Sequence, residues 1–513
     1  MLILASLSTF FQQIFILIAN PVNIIILFGA VLLGIIFGAM PGLTATLGVG
    51  LLTTLTYGMD TSTSMVALLS IYVGAIYGGS YSSILINIPG TAAAAATALD
   101  GYPLACQGKA GKALGLTTTA SAIGTFIGML FVITIAPLIS AFALNFTSFE
   151  FFLLAFFGII ISGTLTSQDL VYKGWIAGFL GLFLSCVGRD QLQFYPRFTF
   201  GLTELDGGIN VVPVLIGAFG IPQIIQMLRD KITSGEAKRF QRILPEFTEI
   251  LHHLSDIFRS ALIGVGIGAI PGIGEDIAGW VSYGAAKNSS KHPERFGKGE
   301  LSAVISAETA NNSCIGGAMI PLLSLGVPGS PPAAMLLGAL LLHGIQPGPM
   351  LIYDHPLFIP QVGAILLLAS FAMWITGMLL AKQVIKVLRI PPPVFMPVIA
   401  VLCVIGSYSL GLQIFNLYLM VPIGILAYFL TEMEFPIAPL VIGVILGPMA
   451  DASLRRALMV SKGSFLPFIT RPVSLILILV ILLMVVSQIS WFKIFTKRIL
   501  NKIFSRKVSK KNS

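Results

Sequence analysis

Two ten-residue stretches decide how this chain is read: Gly34-Ile-Ile-Phe-Gly-Ala-Met-Pro-Gly-Leu43 and Gly264-Val-Gly-Ile-Gly-Ala-Ile-Pro-Gly-Ile273. Five positions are identical, and four more exchange one apolar residue for another. Each stretch is followed by a second matched string. In the first half Gly78-Gly79 precedes Ile88-Pro89-Gly90-Thr91. In the second half Gly316-Gly317 precedes Val327-Pro328-Gly329-Ser330, with one extra residue between. The offset is 230 residues for the first pair and 239 for the second. Two matches in the same order point to a duplicated architecture.

The rest of the composition says where such a repeat lives. Of 513 residues, 56% are hydrophobic and 10% charged, and the mean hydropathy is +0.93. A soluble domain is about 25% charged, so a soluble, disordered or collagen-like chain is excluded. With ~20 apolar residues per crossing, the chain accommodates roughly 10 to 13 membrane segments. The expected fold is an all-α polytopic membrane protein with re-entrant or broken hairpins. The first charged residue is Asp60; without a basic region ahead of the first apolar run, no cleavable signal peptide is expected.

The net charge of +9 is gathered into Arg229 to Arg242, Lys287 to Lys298, Lys382 to Arg389 and the tail from Lys493 to Lys511. Basic loops of this kind mark the cytoplasmic side of a membrane protein rather than a nucleic-acid surface. They divide the chain into a first membrane repeat, 1–228, a polar cytoplasmic linker, 229–255, a second repeat with the final helices, 256–491, and a basic cytoplasmic tail, 492–513. The four cysteines, Cys106, Cys186, Cys314 and Cys403, have no metal or redox spacing and read as core residues.

Glycine and proline concentrate in Gly34 to Gly50, Gly74 to Gly90, Gly264 to Gly274 and Gly316 to Gly348. Broken helix at membrane depth is tolerated only inside protein or along a cavity, so four such stretches imply a built site. The arms on either side of Pro271-Gly272, each ~15 residues or roughly 22 Å as helix, lie between two basic loops and are short for a span. They read as a re-entrant hairpin. The first Pro-Gly segment has no Lys or Arg before Lys109, which suits an approach from the other side. The two halves are then expected to be inverted repeats, as in many secondary transporters.

A Pro-Gly tip ends one helical arm and starts another. The starting end offers free N–H groups to an anion, and the finishing end offers carbonyls to a cation. Thr44 and Thr46 follow the first tip; Asn87 and Thr91 flank Pro89-Gly90; Ser330 follows Pro328-Gly329. Acidic residues are costly in lipid, so Asp276 beside the second tip and Glu308 in Glu308-Thr-Ala-Asn-Asn312 are candidates for a sodium ion or a proton. On a helix Glu308 shares a face with Asn311 and Asn312. Asp100, in Leu99-Asp-Gly-Tyr-Pro103, reads as a structural turn residue, and Asp451 as the partner of Arg455 and Arg456 in a local ion pair.

In its ordered strings the chain resembles the large membrane subunit of the tripartite tricarboxylate transporters (TctA-type). The strings are Pro41-Gly-Leu-Thr-Ala-Thr46, Tyr72-Val-Gly-Ala-Ile-Tyr-Gly-Gly79, Asn87-Ile-Pro-Gly-Thr91, Asp100-Gly-Tyr-Pro103, Arg197-Phe-Thr-Phe-Gly201, Pro271-Gly-Ile-Gly274, Phe296-Gly-Lys-Gly299, Glu308-Thr-Ala-Asn-Asn312, Leu325-Gly-Val-Pro-Gly-Ser330 and Gly344-Ile-Gln-Pro-Gly348. The resemblance implies the permease of a three-part importer in the bacterial inner membrane. A small membrane subunit and a periplasmic solute-binding protein would complete it. Its substrates would be carboxylates such as citrate, and uptake would be driven by an ion gradient. The resemblance implies Pro41, Gly42, Asn87, Pro89, Gly90, Pro271, Gly272, Asn311, Asn312, Pro328 and Gly329 as site positions, and the tip side chains Thr44, Thr46, Thr91 and Ser330 join them as expected substrate positions. No cofactor is expected beyond a sodium ion as coupling ion.

Two rival readings stand beside it. Gly272-Ile-Gly-Glu275 is faintly similar to the Gly-x-Gly-Asp of intramembrane aspartyl proteases, but Glu replaces Asp and no partner Tyr-Asp string precedes it. His-Glu-x-x-His and Gly-x-Ser-Gly strings are absent as well, so no enzyme is expected, and without a Walker A string ATP-driven pumping by this chain alone is not expected either. A non-coupled channel or scaffold subunit needs a continuous polar pore, and the sequence offers only islands of polarity.

Overall fold

The computed structural model describes residues 2–167, 170–190, 192–229, 243, 247–388, 394–409 and 411–488. Most of the 229–255 linker, Arg389 and the whole 492–513 tail lie outside them. The chain is almost entirely helical. The first half contains α1 (Leu2–Ala19), α2 (Pro21–Ala39), α3 (Ala45–Leu55), α4 (Thr61–Ile86), α5 (Ala95–Cys106), α6 (Ala110–Ala143), α7 (Ser148–Thr166), α8 (Val171–Ser185) and α9 (Val211–Arg229). After the linker come α10 (Phe247–His252), α11 (Leu254–Gly268), α12 (Gly274–Ser289), α13 (Leu301–Leu325), α14 (Pro331–Leu342), α15 (Leu351–Asp354) and α16 (Phe358–Leu379). The last group is α17 (Ala381–Leu388), α18 (Met396–Ser409), α19 (Phe415–Glu432), α20 (Ile437–Val460), α21 (Leu466–Thr470) and α22 (Pro472–Ser487). Among the described residues, eight helices are long and apolar enough to cross a membrane, and shorter apolar helices accompany them. This is an all-α polytopic membrane protein.

Local chemistry sets the breaks. The apolar run at 14–40 is cut at Asn20, whose side chain accepts Val22 N–H (3.0 Å) and caps α2, with Pro21 in its first turn. Thr44 caps α3 by accepting Leu47 N–H (3.1 Å), and Asp60 caps α4 by accepting Thr63 N–H (2.9 Å). Both long buried helices end on a left-handed residue, Asn87 after α4 and Gly326 after α13. One sequence expectation fails here. Asp100 is not in a turn but inside α5, which carries Pro103 within its length. Its carboxylate accepts N–H groups from Gly297, Gly299 and Glu300 (2.8–2.9 Å) and the Tyr283 hydroxyl (2.9 Å). Tertiary partners replaced the turn that the local string suggested.

The repeated strings make the same contacts twice. Gly34 and Gly38 of α2 lie against the α4 backbone at Ile71 and Ala75, and Gly264 and Gly268 of α11 lie against the α13 backbone at Ala310 and Cys314. Gly90 packs on the carbonyl of Gly38, and Gly329 packs on the carbonyl of Gly268. A β-carbon at either loop glycine would collide with that backbone. Only glycine permits this approach.

Contacts between the halves are reciprocal. Helix α3 packs on α14 while α12 packs on α5; α4 packs on α16 while α13 packs on α6; α7 and α8 pack on α20 while α18 and α19 pack on α9. Direction can be read from the registers. Trp374 donates to Thr119 (3.3 Å), Ser370 to Ala122 O (2.9 Å), and Gly363 faces Ile133, so α16 and α6 are antiparallel. Ser121 donates to Glu308 (3.0 Å) and Gly128 faces Ser313, so α6 and α13 are parallel. Gln361 donates to Ser62 (2.6 Å) and Tyr81 to Gly377 O (2.6 Å), so α4 and α16 are parallel. Helices α4 and α13 therefore run in opposite directions.

Between α8 and α9 a short antiparallel pair joins Gly188–Arg189 to Pro196–Arg197. Arg197 pairs with Asp451 (2.9 Å), and Arg455 bridges Asp451 (3.0 Å) and Asp190. The expected Asp451–Arg455 pair is present, as part of this larger network; Arg456 forms no ion pair among the described residues.

Candidate functional site

The broken segments from both halves converge on one cavity of about 180 Å³. One wall belongs to the first half: Thr44, Ala45 and Thr46 at the start of α3, with Thr91 and Ala92 after the Pro89-Gly90 loop. The opposite wall belongs to the second: Glu275 and Asp276 at the start of α12, with Pro331 and Pro332 at the start of α14. Ile76 of α4 and Phe219 and Gln223 of α9 complete it. Among the described residues, no Lys or Arg lines the cavity. The start of α3 brings unpaired N–H groups and the partial positive charge of a helix N-terminus to it, opposite the Glu275 and Asp276 side chains.

The two walls differ in what they leave open. In α3, Thr44 satisfies Leu47 N–H, and the N–H groups of Ala45 and Thr46 have no partner in the preceding turn. Thr46 is 6% exposed, lines the cavity and makes no hydrogen bond with the described residues. The buried Thr91 hydroxyl also has no partner. In the second half, α14 opens with two prolines, which have no N–H, and Ser330 Oγ accepts Ala333 N–H (3.3 Å). Glu275 is 2% exposed and accepts the Tyr72 hydroxyl of α4, which also meets Ser330 Oγ (2.7 Å). Beside it Asp276 is exposed, lines the cavity and has no ion-pair or hydrogen-bond partner among the described residues.

A second polar centre lies behind the segment from Thr91 to Thr97. Glu308 is fully buried, and its carboxylate accepts the hydroxyls of Thr97 (2.5 Å) and Ser121 (3.0 Å). Asn311 donates to Ala93 O (3.2 Å). Asn312 donates to Asn311 Oδ1 (2.7 Å) and to Glu308 O (3.1 Å), leaving its own Oδ1 unpaired. No cationic side chain of the described residues pairs with Glu308. A buried carboxylate surrounded by oxygens alone is costly unless a proton or a cation joins it.

The sequence-derived positions thus fall into three groups. Thr44, Thr46, Thr91 and Asp276 line the cavity. Glu308, Asn311 and Asn312 form the centre behind it rather than the cavity wall. The remaining positions shape the backbone. Pro41-Gly42 and Pro271-Gly272 make the tips, with Gly42 at φ +88° and Gly272 at φ +79°. Pro89-Gly90 and Pro328-Gly329 make the crossing loops, Ser330 caps α14, and Asn87 supplies the left-handed end of α4 with its side chain exposed. Sequence reasoning missed three cavity or bridging residues. Gln223 is an amide in the apolar α9, Tyr72 sits within a quoted string without an assigned role, and Glu275 enters the sequence reading only in the protease-like string Gly272-Ile-Gly-Glu275.

The fold and the cavity define a multi-pass membrane protein with a shared cavity at its broken helices. The chain belongs to the tripartite tricarboxylate transporter TctA family, whose model matches residues 24–442. It is 36% identical over 456 residues to an uncharacterized 52.8 kDa protein in the TAR-I ttuC' 3' region of Agrobacterium vitis, a match covering 89% of this chain and 91% of that one. An uncharacterized protein in the TAR-II ttuC' 3' region of the same organism is 36% identical over 208 residues, 40% of this chain and 86% of that one. No solved structure matches. The family resemblance read from the ordered strings therefore holds. The protein is a component of a tripartite tricarboxylate transporter, a transport family rather than an enzyme family.

Proposed function

We propose that the chain is the permease subunit of a binding-protein-dependent secondary transporter. It imports small carboxylates, tricarboxylates such as citrate or dicarboxylates, by alternating access coupled to a sodium or proton gradient. The cavity carries this reading: opposed helix starts from both halves line one space that holds, among the described residues, threonine, glutamine and carboxylate groups but no basic side chain, leaving backbone N–H groups to hold an anion. Asp276 and the Glu308 centre are the coupling positions, because each offers carboxylate oxygen to a cation or proton without a competing Lys or Arg.

The opposite directions of α4 and α13 and the reciprocal packing support inverted repeats related by an axis in the membrane plane. Charge supports the orientation. Lys109, Lys112, Arg259, Lys287 and Lys298 gather where α6 and α13 begin, and Lys382 follows the end of α16 on that same side. This side is cytoplasmic by the positive-inside rule, in a bacterial inner membrane, with the basic C-terminal tail also inside. A small membrane subunit and a periplasmic solute-binding protein are the partners that a three-part system requires.

The test is uptake of labelled citrate and a panel of other di- and tricarboxylates by cells carrying this chain with its partner subunits. The assay is run with and without sodium, and with the binding protein deleted. Saturable uptake of an acid, lost without the binding protein and dependent on a cation gradient, is expected. Flux that neither saturates nor follows an ion gradient would make the protein a channel. No carboxylate uptake by membrane-inserted protein would overturn the reading.

A further inference from the structure

The repeat offsets place Glu275 opposite Ala45, Ser330 opposite Thr91, and Tyr72 opposite Asn311. On the second-half wall the matched set is complete without a ligand. The Glu275 carboxylate lies at the start of its own helix α12, accepts the Tyr72 hydroxyl, and shares that hydroxyl with Ser330. The same wall has no N–H at Pro331 and Pro332. Together with the carboxylates of Glu275 and Asp276 at the start of α12, this leaves the second-half wall less suited to an anion than the first.

On the first-half wall the corresponding set lacks a carboxylate. Ala45 stands where Glu275 stands in the other half. The starting N–H groups of α3 are open, and the Thr91 hydroxyl, the equivalent of Ser330, is buried without a partner. Thr46 is more than nine-tenths buried, faces the cavity and is equally unpartnered. The Gln223 amide approaches from α9, near Gly42, with no hydrogen bond among the described residues.

We infer that a carboxylate group of the substrate binds on the first-half wall, at the start of α3 between Thr46, Thr91 and Gln223. It takes the place that the Glu275 side chain fills in the other half. The resident carboxylate is a template for the transported one. Only one of the two matched places is open to substrate, so binding is one-sided although the scaffold is duplicated. Asp276, unpaired on the opposite wall, faces the bound anion and requires a cation between the two. The inference rests on the transport reading above and adds the subsite to it.

The test is Ala45→Glu, which supplies the missing carboxylate in cis. Membrane-inserted Ala45→Glu protein is expected to lose at least tenfold in uptake of whichever panel acid the wild type imports. Its thermal midpoint should equal or exceed that of the wild type, because the new side chain satisfies open donors. Thr46→Val, which keeps shape and removes the hydroxyl, should raise KM at least fivefold with normal membrane levels. Wild-type uptake with undiminished uptake in Ala45→Glu and an unchanged KM in Thr46→Val would overturn the subsite and leave the transport reading intact. Should Ala45→Glu not accumulate, Thr46→Val alone decides: an unchanged KM overturns the subsite. Absence of any carboxylate uptake by the wild type would overturn both.

Discussion

The carboxylate of Glu275 accepts the hydroxyl of Tyr72 across 203 residues of chain, joining the start of α12 to the middle of α4. One residue comes from each repeat. The bond fixes the second tip against α4, the helix on which Gly34 and Gly38 pack, and Ser330 joins it through the same hydroxyl. A buried acceptor deprived of its donor costs about 1–3 kcal/mol. Tyr72→Phe is therefore expected to lower stability by about that amount, and Glu275→Gln, which can still accept, by less. Thermal unfolding in detergent checks the order; equal midpoints for Tyr72→Phe and wild type would show that the bond does not hold the tip.

The crossing glycines give a contrast within one helix. An added methyl at Gly38 meets the backbone of Ala75, whereas at Gly29 it meets nothing within 4 Å. Overpacking of a tight contact costs about 1–3 kcal/mol and occasionally more, and here the obstacle is backbone that cannot rotate away. Gly38→Ala and Gly268→Ala should sharply reduce the yield of monodisperse protein, while Gly29→Ala should match the wild type. Similar yields from all three on size-exclusion chromatography would contradict the packing described.

Glu308 separates coupling from folding. Glu308→Gln preserves shape and hydrogen-bonding capacity but cannot bind a cation by charge. Initial uptake rates should lose their dependence on the sodium or proton gradient, with at least a tenfold fall in the gradient-driven component. Normal protein levels are expected. Retention of full cation dependence in Glu308→Gln would remove Glu308 from the coupling site.

The hairpin network between α8 and α9 has an acid limit. The backbone N–H groups of Leu192 and Gln193 and the nearby Arg455 hold the Asp190 carboxyl below its ordinary value. A carboxyl lowered on folding contributes stability that is present above its unfolded pKa of about 3.9 and is lost as pH falls through the folded value. Hydrogen exchange over 188–206 should accelerate relative to α20 once the pH drops below about 4. In Asp190→Asn the exchange should be fast already at neutral pH, with little further change on acidification. A wild-type hairpin that exchanges at the same rate on both sides of this window would exclude the linkage.

The sequence was most legible where backbone geometry leaves few choices. Pro41-Gly42, repeated at Pro271-Gly272, announced two tips, and the structure has both, while the close crossings at Gly34, Gly38, Gly264 and Gly268 emerged only with the fold. Thr44 and Ser330 announced helix starts and cap α3 and α14. Asp276 and Glu308 stood out because an acid in an apolar run needs a reason. The cap and the left-handed turn depend on a residue and its close neighbours in the chain.

What the fold decided depends on partners far apart in sequence. Asp100 left its apparent turn because the N–H groups of Gly297, Gly299 and Glu300 satisfy its carboxylate from nearly 200 residues away. Glu308, Asn311 and Asn312 left the cavity wall because Thr97, Ser121 and Ala93 O reach them from α5, α6 and the loop between the halves' crossing points. Gln223 entered the cavity because α9 crosses above the first tip. By itself the sequence determined that the helices would break, at which residues, and that the pattern would occur twice, because those outcomes follow from sterics and hydrogen bonding within a few residues. Only the tertiary structure decided which helix starts face one another and which of the two matched places is already filled, because a hydrogen-bond donor is open or taken only with respect to the groups packed against it.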